Sequence, residues 1–317
     1  MKVLIVGITG QTGSYLADNL QKKGYKIIGT SRDVSTKSWE NLLKLNLDVN
    51  KIKLINLDPA DARQVFTIMS SYKPDYVYNL AGQSSVNLSF IQPALAIDSI
   101  ATSCLNFLEA IRCLNLKSRY FNAGSSECFG NTMNFIADEN TKFNPLSPYA
   151  VAKCTSIYLT KIAREAYGMH ACNGILSNHE SSLRAEKFVT KKIIRGLKQI
   201  KNKELAYLEL GNLETIRDWG FAPEYAEAII RILEHDEPSD YLVATGKSYS
   251  LKDFVKFACE LLDLDEKTSI KFNDNFSRPL DLYESRLNPK KIKTVLGWEA
   301  KTQFKDLISK LNKEQLF

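Results

Sequence analysis

Histidine is scarce in this chain, with three residues among 317. None of them is spaced with another histidine or with a cysteine pair as metal ligands would be, so no metal site is expected. The six cysteines (Cys104, Cys113, Cys128, Cys154, Cys172 and Cys259) include no Cys-x-x-Cys pair. Most fall on apolar helix or strand patterns, which points to buried thiols in a reducing cytoplasm. No apolar run approaches the roughly 18–20 residues of a membrane span, so no membrane partner is expected. The start, Met1-Lys2-Val3-Leu4-Ile5-Val6-Gly7, is too short an apolar stretch for a signal peptide and leads straight into a glycine loop. Net charge is only +6, and no Lys/Arg block is interleaved with aromatics, which argues against a nucleic-acid partner. Internal repeats and low-complexity linkers are also missing.

What remains is ordinary globular material, 44% hydrophobic and 25% charged, in a chain long enough for one large α/β domain and a smaller lobe. Short β-branched runs at Lys2–Val6, Tyr25–Thr30, Ile52–Leu57, Asp75–Leu80, Arg119–Asn122 and His170–Leu176 alternate with helical periods at Gln11–Lys23, Asp61–Ser71, Pro93–Leu114 and Pro148–Ala166. That alternation predicts a Rossmann-type, doubly wound parallel sheet, which binds ligands at the carboxyl ends of its strands. Beyond Asn178 the pattern loosens. Helices are predicted at Phe188–Lys201, Pro223–His235, Leu251–Leu262, Lys290–Trp298 and Phe304–Leu311, a strand at Tyr241–Ala244, and a loop at 274–288. The second lobe is therefore α/β and interleaved with the first.

Gly7-Ile8-Thr9-Gly10-Gln11-Thr12-Gly13 follows a strand and opens a helix, the context in which glycines admit a pyrophosphate to a helix N-terminus. Ser31-Arg32-Asp33 follows the second strand. Arg32 suits a 2′-phosphate and therefore NADP, whereas Asp33 suits the free ribose hydroxyls of NAD, so NADP is the first choice and NAD the second. Asp58, after the third strand, could accept from an adenine amino group or merely cap a helix.

Tyr149 and Lys153, four apart on a helix, face the same way. A lysine ammonium beside a phenol favours the phenolate and so a base near neutral pH. Glu127, between Gly124 and Gly130, suggests a second proton-transfer group, because packing explains a carboxylate there poorly. His179 reads more readily as structural than as a metal ligand. Arg217 and Arg278 are predicted in turns, where arginines are usually solvated; with Lys192 they could instead hold a diphosphate.

Together these residues resemble the extended short-chain dehydrogenases/reductases. Longer stretches, among them Tyr78-Asn79-Leu80-Ala81-Gly82-Gln83-Ser84, Asn178-His179-Glu180-Ser181 and Gly211-Asn212-Leu213-Glu214-Thr215-Ile216-Arg217-Asp218-Trp219-Gly220, resemble more narrowly the GDP-mannose 4,6-dehydratase family. The resemblance implies a hydro-lyase that oxidises C4 of a GDP-sugar, eliminates water across C5 and C6, and returns hydride to C6. It implies catalytic roles for Ser125, Glu127, Tyr149 and Lys153. It implies NADP contacts at Gly7, Thr9, Gly10, Gln11, Thr12, Gly13, Arg32, Asp58, Leu80, Ala81, Gln83, Tyr149, Lys153, His179 and Arg184. It implies substrate contacts at Ser84, Ser125, Glu127, Tyr149, Asn178, Val189, Lys192, Arg217, Arg278 and Asp281. Residues 1–177 would form the NADP-binding domain and 178–317 mainly the sugar-nucleotide lobe, with about 208–245 returning to the first domain. A homodimer or homotetramer is implied. The chain departs from the family's pattern at Ser182-Leu183-Arg184-Ala185, where Pro-Arg-Arg-Gly is usual, and along Ser31–Ser38. A sugar-nucleotide epimerase, a 4-keto reductase or a UDP-glucuronate decarboxylase would share much of this pattern, and a non-catalytic NADP-binding regulator would share the glycine loop.

Overall fold

The computed structural model describes residues 1–34, 39–273 and 279–313. Among these residues twelve strands occur: β1 (Lys2–Val6), β2 (Lys26–Ser31), β3 (Ile52–Asn56), β4 (Tyr76–Asn79), β5 (Arg119–Ser125), β6 (Ala171–Leu176), β7 (Asn178–Glu180), β8 (Leu208–Leu210), β9 (Ile216–Phe221), β10 (Asp240–Val243), β11 (Ser248–Ser250) and β12 (Ile270–Phe272). Seven of them form one parallel sheet in the order β10-β6-β5-β4-β1-β2-β3. The order reverses between β1 and β4, which opens a crevice above their carboxyl ends.

β1 shows why the sheet forms. Val3 and Ile5 enter one buried cluster and Leu4 and Val6 enter another. Successive side chains alternate between faces, so a continuous apolar run is what a strand covered on both sides requires. Each such side chain contributes about 1.5–3 kcal/mol by leaving water. Helices Gln11–Lys22 and Ala222–Glu234 pack together over the first face. Within the stretch 208–245, it is Ala222–Val243 that joins the large sheet, whereas β8 pairs with β12.

Pro93–Cys113 is continuous and helical, as the period predicts, but Asp98–Thr102 is a π turn. By length and composition this helix could cross a membrane, contrary to the expectation from consecutive apolar residues. With 56% of its most apolar window buried against the protein, it is a core helix. The π turn brings Ser99 to the crevice wall, where its hydroxyl accepts from the Gln83 amide at 3.0 Å and donates to the Leu95 carbonyl at 2.6 Å.

The second lobe has its own core, built from Ile193, Leu197, Trp219, Phe254 and Phe304. Phe304 stacks on Tyr249 at 4.0 Å and on Trp219 at 5.7 Å between ring centroids. β9 runs between β7 and β11 in a three-stranded sheet. Residues 217–220, expected as a turn, are therefore strand. All six cysteines are free; five are buried and Cys113 is exposed.

Candidate active site

A cleft of about 1100 Å³ runs between the lobes above the β1–β4 switch point. Its floor begins with the glycine loop. Gly7 has φ of +84°, and a Cβ on Gly13 would sit 2.3 Å from the Gly7 carbonyl. Only glycine lets helix Gln11–Lys22 approach β1 this closely. Gly10 caps that helix with no side chain of its own, leaving the first-turn N–H groups directed at the cleft. That cradle fits the pyrophosphate of a dinucleotide. Gln11 and Thr12 serve it indirectly. Gln11 donates to the His179 carbonyl at 2.9 Å and accepts from the Ser181 hydroxyl at 2.8 Å, and the Thr12 hydroxyl lies 2.8 Å from His179 Nε2. These bonds tie the glycine loop to the chain entering the second lobe.

His179 Nδ1 faces the Ser177 carbonyl at 2.9 Å, so it carries the proton and Nε2 accepts from Thr12. Burial, with the Arg184 charge in the same direction, lowers the imidazole to about 4. Neutral and bonded at both nitrogens, His179 is a brace.

β5 ends at Ser125, whose hydroxyl accepts from the Glu127 amide at 3.3 Å and starts the tight turn Ser126–Phe129. That bond aims Glu127 into the cleft. On the facing wall, Ser147 caps helix Pro148–Tyr167 by accepting from the Ala150 amide at 3.1 Å, and Pro148 occupies its first position. The helix turns Tyr149 and Lys153 toward Ser125. Lys153 is buried, and its ammonium donates to the Ala123 carbonyl at 2.6 Å. Burial pulls it down to about 8. Tyr149 moves the other way: burial raises the phenol above its ordinary value, the Ser125 hydroxyl opposes that rise, and the Glu127 charge reinforces it. The expectation that Lys153 lowers Tyr149 is thus corrected. The ammonium is spent on the Ala123 carbonyl and stands 5.8 Å from the phenol ring centroid.

Ser125, Glu127, Tyr149 and Lys153 all line the cleft, with Thr9, Arg32, Asp58, Leu80, Ala81 and Arg184 around the dinucleotide cradle and Ser84, Asn178, Val189, Lys192, Arg217 and Asp281 toward the second lobe. Asp58 accepts from the Ala60 amide at 3.0 Å, a local turn, while Asp61 caps the next helix. Gln83 lies beneath the wall, with its side chain bonded to both backbone groups of Ser85. Arg217 is buried mid-strand, donates to the Ile216 and Tyr283 carbonyls and lies 3.9 Å from Asp281. Lys192 donates to the Glu209 carbonyl at 2.8 Å. Arg278 lies outside the described residues.

The sequence reading missed Glu180, Lys187, Asp98 and Ser99. Glu180 is buried; its carboxylate accepts from the Thr190 hydroxyl at 2.6 Å and lies 3.1 Å from Arg184 Nε, whose N–H is not aimed well enough for a full hydrogen bond. Burial raises the Glu180 acid, while Arg184 and Thr190 oppose that. The Arg184 guanidinium also lies 3.5 Å from the Phe188 ring centroid. The i, i+4 spacing of Glu180, Arg184 and Phe188 was visible, but these residues lie on no helix, so the spacing carried no information.

Solved structures share this architecture. UDP-glucose 4-epimerase from Thermus thermophilus, in complex with NAD, superposes with a TM-score of 0.86 at 22% identity, covering 98% of each chain. dTDP-glucose 4,6-dehydratase from Bacillus anthracis, also in complex with NAD, gives 0.84 at 17% identity over 98% of this chain and 95% of that one. At that identity the likeness is one of fold. Sequence relatives are nearer. GDP-mannose 4,6 dehydratase 1 of Arabidopsis thaliana is 41% identical over 99% of this chain and 89% of its own length. GDP-mannose 4,6-dehydratase of Vibrio cholerae is 37% identical over 97% and 91%. The sequence profile of the GDP-mannose 4,6 dehydratases matches residues 4–311, and with the glycine cradle and the Ser125–Glu127–Tyr149–Lys153 constellation in one cleft, the chain belongs to the GDP-mannose 4,6-dehydratase family.

Proposed function

We propose that this protein converts GDP-mannose to GDP-4-keto-6-deoxymannose and water, with NADP held in the cleft. The observation that carries the reading is that Glu127 shares a cleft wall with Ser125 and faces Tyr149 and Lys153. A base for a hydroxyl and a second carboxylate are what oxidation followed by elimination needs. The bound dinucleotide supplies hydride acceptance from C4 and hydride return to C6. The chain's residues handle the protons. Tyr149, as the phenolate that burial opposes, accepts the proton of the 4-hydroxyl, and the Ser125 hydroxyl bonds the same oxygen. Lys153 holds charge beside them. Once C4 is a ketone the C5 proton is acidic; Glu127 removes it and returns a proton to the 6-hydroxyl, which departs as water. Lys192 and Arg217 set cationic groups on the second-lobe side of the cleft, suited to a diphosphate.

Arg32, on the cleft lip just after β2, supports NADP over NAD. Apolar side chains exposed on two neighbouring helices, Leu105 with Val151, Tyr158 and Ile162, support a homodimer or homotetramer; a monomer by light scattering would sink that part.

Mass spectrometry of a sugar-nucleotide panel tests the function. GDP-mannose should lose one water with no standing reduced cofactor. Consumption of a different sugar nucleotide, with GDP-mannose untouched, would overturn the substrate. Glu127→Gln separates the rivals: water loss should stop, whereas an epimerase or 4-keto reductase would be little affected.

A further inference from the structure

The segment between β7 and helix Val189–Lys201 brings two cations to the cleft, Arg184 and Lys187, and among the described residues only Arg184 is engaged; Lys191 and Arg195 lie on the helix beyond it. Arg184 lies against Glu180 and the Phe188 ring. Lys191 donates to the Ser182 carbonyl at 2.8 Å. Arg195 pairs with Glu186 at 3.0 Å, which draws the nearest carboxylate in sequence away from Lys187. Lys187 itself is exposed and lines the cleft, 5.5 Å from the Phe188 ring centroid, and no hydrogen bond or ion pair to another described residue holds it. Arg32 stands in the same condition on the other lobe, exposed on the cleft lip after β2 and unpaired among the described residues. Both line the same cleft from opposite lobes; partial burial, then the charges of Arg184 and Arg32, hold the Lys187 ammonium below its ordinary value. Asp33 lines the same edge and is the opposing charge there.

Two like charges that face one cleft from different lobes, with no partner among the described residues, cost free energy unless an anion joins them. We propose that Lys187 and Arg32 together clamp the phosphate on the adenosine 2′-hydroxyl of the bound dinucleotide, so that preference for NADP is set by the second lobe as well as by the end of β2. The inference rests on the NADP reading above. It makes Lys187 a specificity-determining residue contributed by the segment that ties the lobes together, and its long, mobile stem lets it reach the phosphate as a point charge.

Equilibrium binding to the purified full chain tests it, by calorimetry with NADP⁺ and NAD⁺ separately. Lys187→Gln should weaken NADP⁺ roughly tenfold and leave NAD⁺ within about twofold, and Lys187→Arg should restore NADP⁺. The NADP⁺ affinity of the wild type should fall as salt is raised, and less steeply in Lys187→Gln. Equal weakening of both cofactors places Lys187 at the pyrophosphate and overturns the proposal, as does no change in either. If Arg32→Gln loses NADP⁺ while Lys187→Gln does not, the NADP reading stands and this inference fails. If the wild type holds NAD⁺ more tightly than NADP⁺, both fail together.

Discussion

The two ends of the cleft are built on opposite electrostatic principles. At the end lined by Ser125, Glu127, Tyr149 and Lys153, the titratable groups are drawn out of water, and burial is the largest influence on both Tyr149 and Lys153. At the end lined by Arg32 and Lys187, the charges sit on exposed lips. Burial makes proton affinities adjustable but destabilises the folded chain, since a desolvated lysine is a standing penalty. Exposure leaves charges screened by salt and nearly neutral for stability. On the proposed reading, one end moves protons and the other attracts an anion.

The largest effects should come from the buried end. Tyr149→Phe and Glu127→Gln should each lower turnover by about 10²–10⁴-fold. They should differ in where the reaction stops. Tyr149→Phe should show no transient near-ultraviolet absorbance of reduced nicotinamide under single-turnover conditions; Glu127→Gln should show it without water loss. Identical traces would dissolve the division of labour between the two residues.

Lys153→Met should sharpen the contrast from the stability side. The folded pKa of about 8 lies below the ordinary 10.5, so at neutral pH folding carries an unfavourable charge into the interior. Removing it should stabilise the chain by about 2 kcal/mol at pH 7 while abolishing turnover, a trade of stability for activity. The sign is checked by pH: wild-type stability should rise between about pH 8 and 10.5, and the variant should lack that rise in chemical denaturation.

His179 tests the brace between the lobes. Its pKa falls from 6.5 to about 4 on folding. Its contribution is therefore complete above pH 6.5 and is lost as pH falls toward 4. Because the half-buried ring keeps some access to cleft water, the loss should be about 1–2 kcal/mol. His179→Asn should flatten that part of the acid unfolding curve; an unchanged slope would mean that another group carries it.

The smallest effect belongs to the exposed end. Arg32→Gln should alter unfolding free energy by less than about 0.5 kcal/mol, since its guanidinium is solvated. A larger change in denaturant midpoint would mean that the two ends are not built differently.

Much of this was legible in order of residues. The doubly wound sheet follows from β1, where four consecutive apolar residues can only be satisfied by covering both faces. The helix that carries Tyr149 and Lys153 was legible in its period over Pro148–Ala166. Arg217 was not legible. It sits in a strand whose partners are three-residue segments about forty positions before it and thirty after, and such pairing leaves no local period. The direction of the Tyr149 shift was misread for a related reason. Helical spacing states which way two side chains face, but not that a carbonyl of β5 takes the ammonium or how much water is excluded.

By itself, then, the sequence determined the elements of the large parallel sheet and named the residues that line the cleft floor, because hydrophobic period and glycine loops are local and survive in one dimension. The tertiary structure alone decided which side chains line one cleft, which of them also brace the lobes, and how burial displaces Tyr149 and Lys153. Those properties depend on distances and on excluded water, which exist only once distant segments have closed on one another.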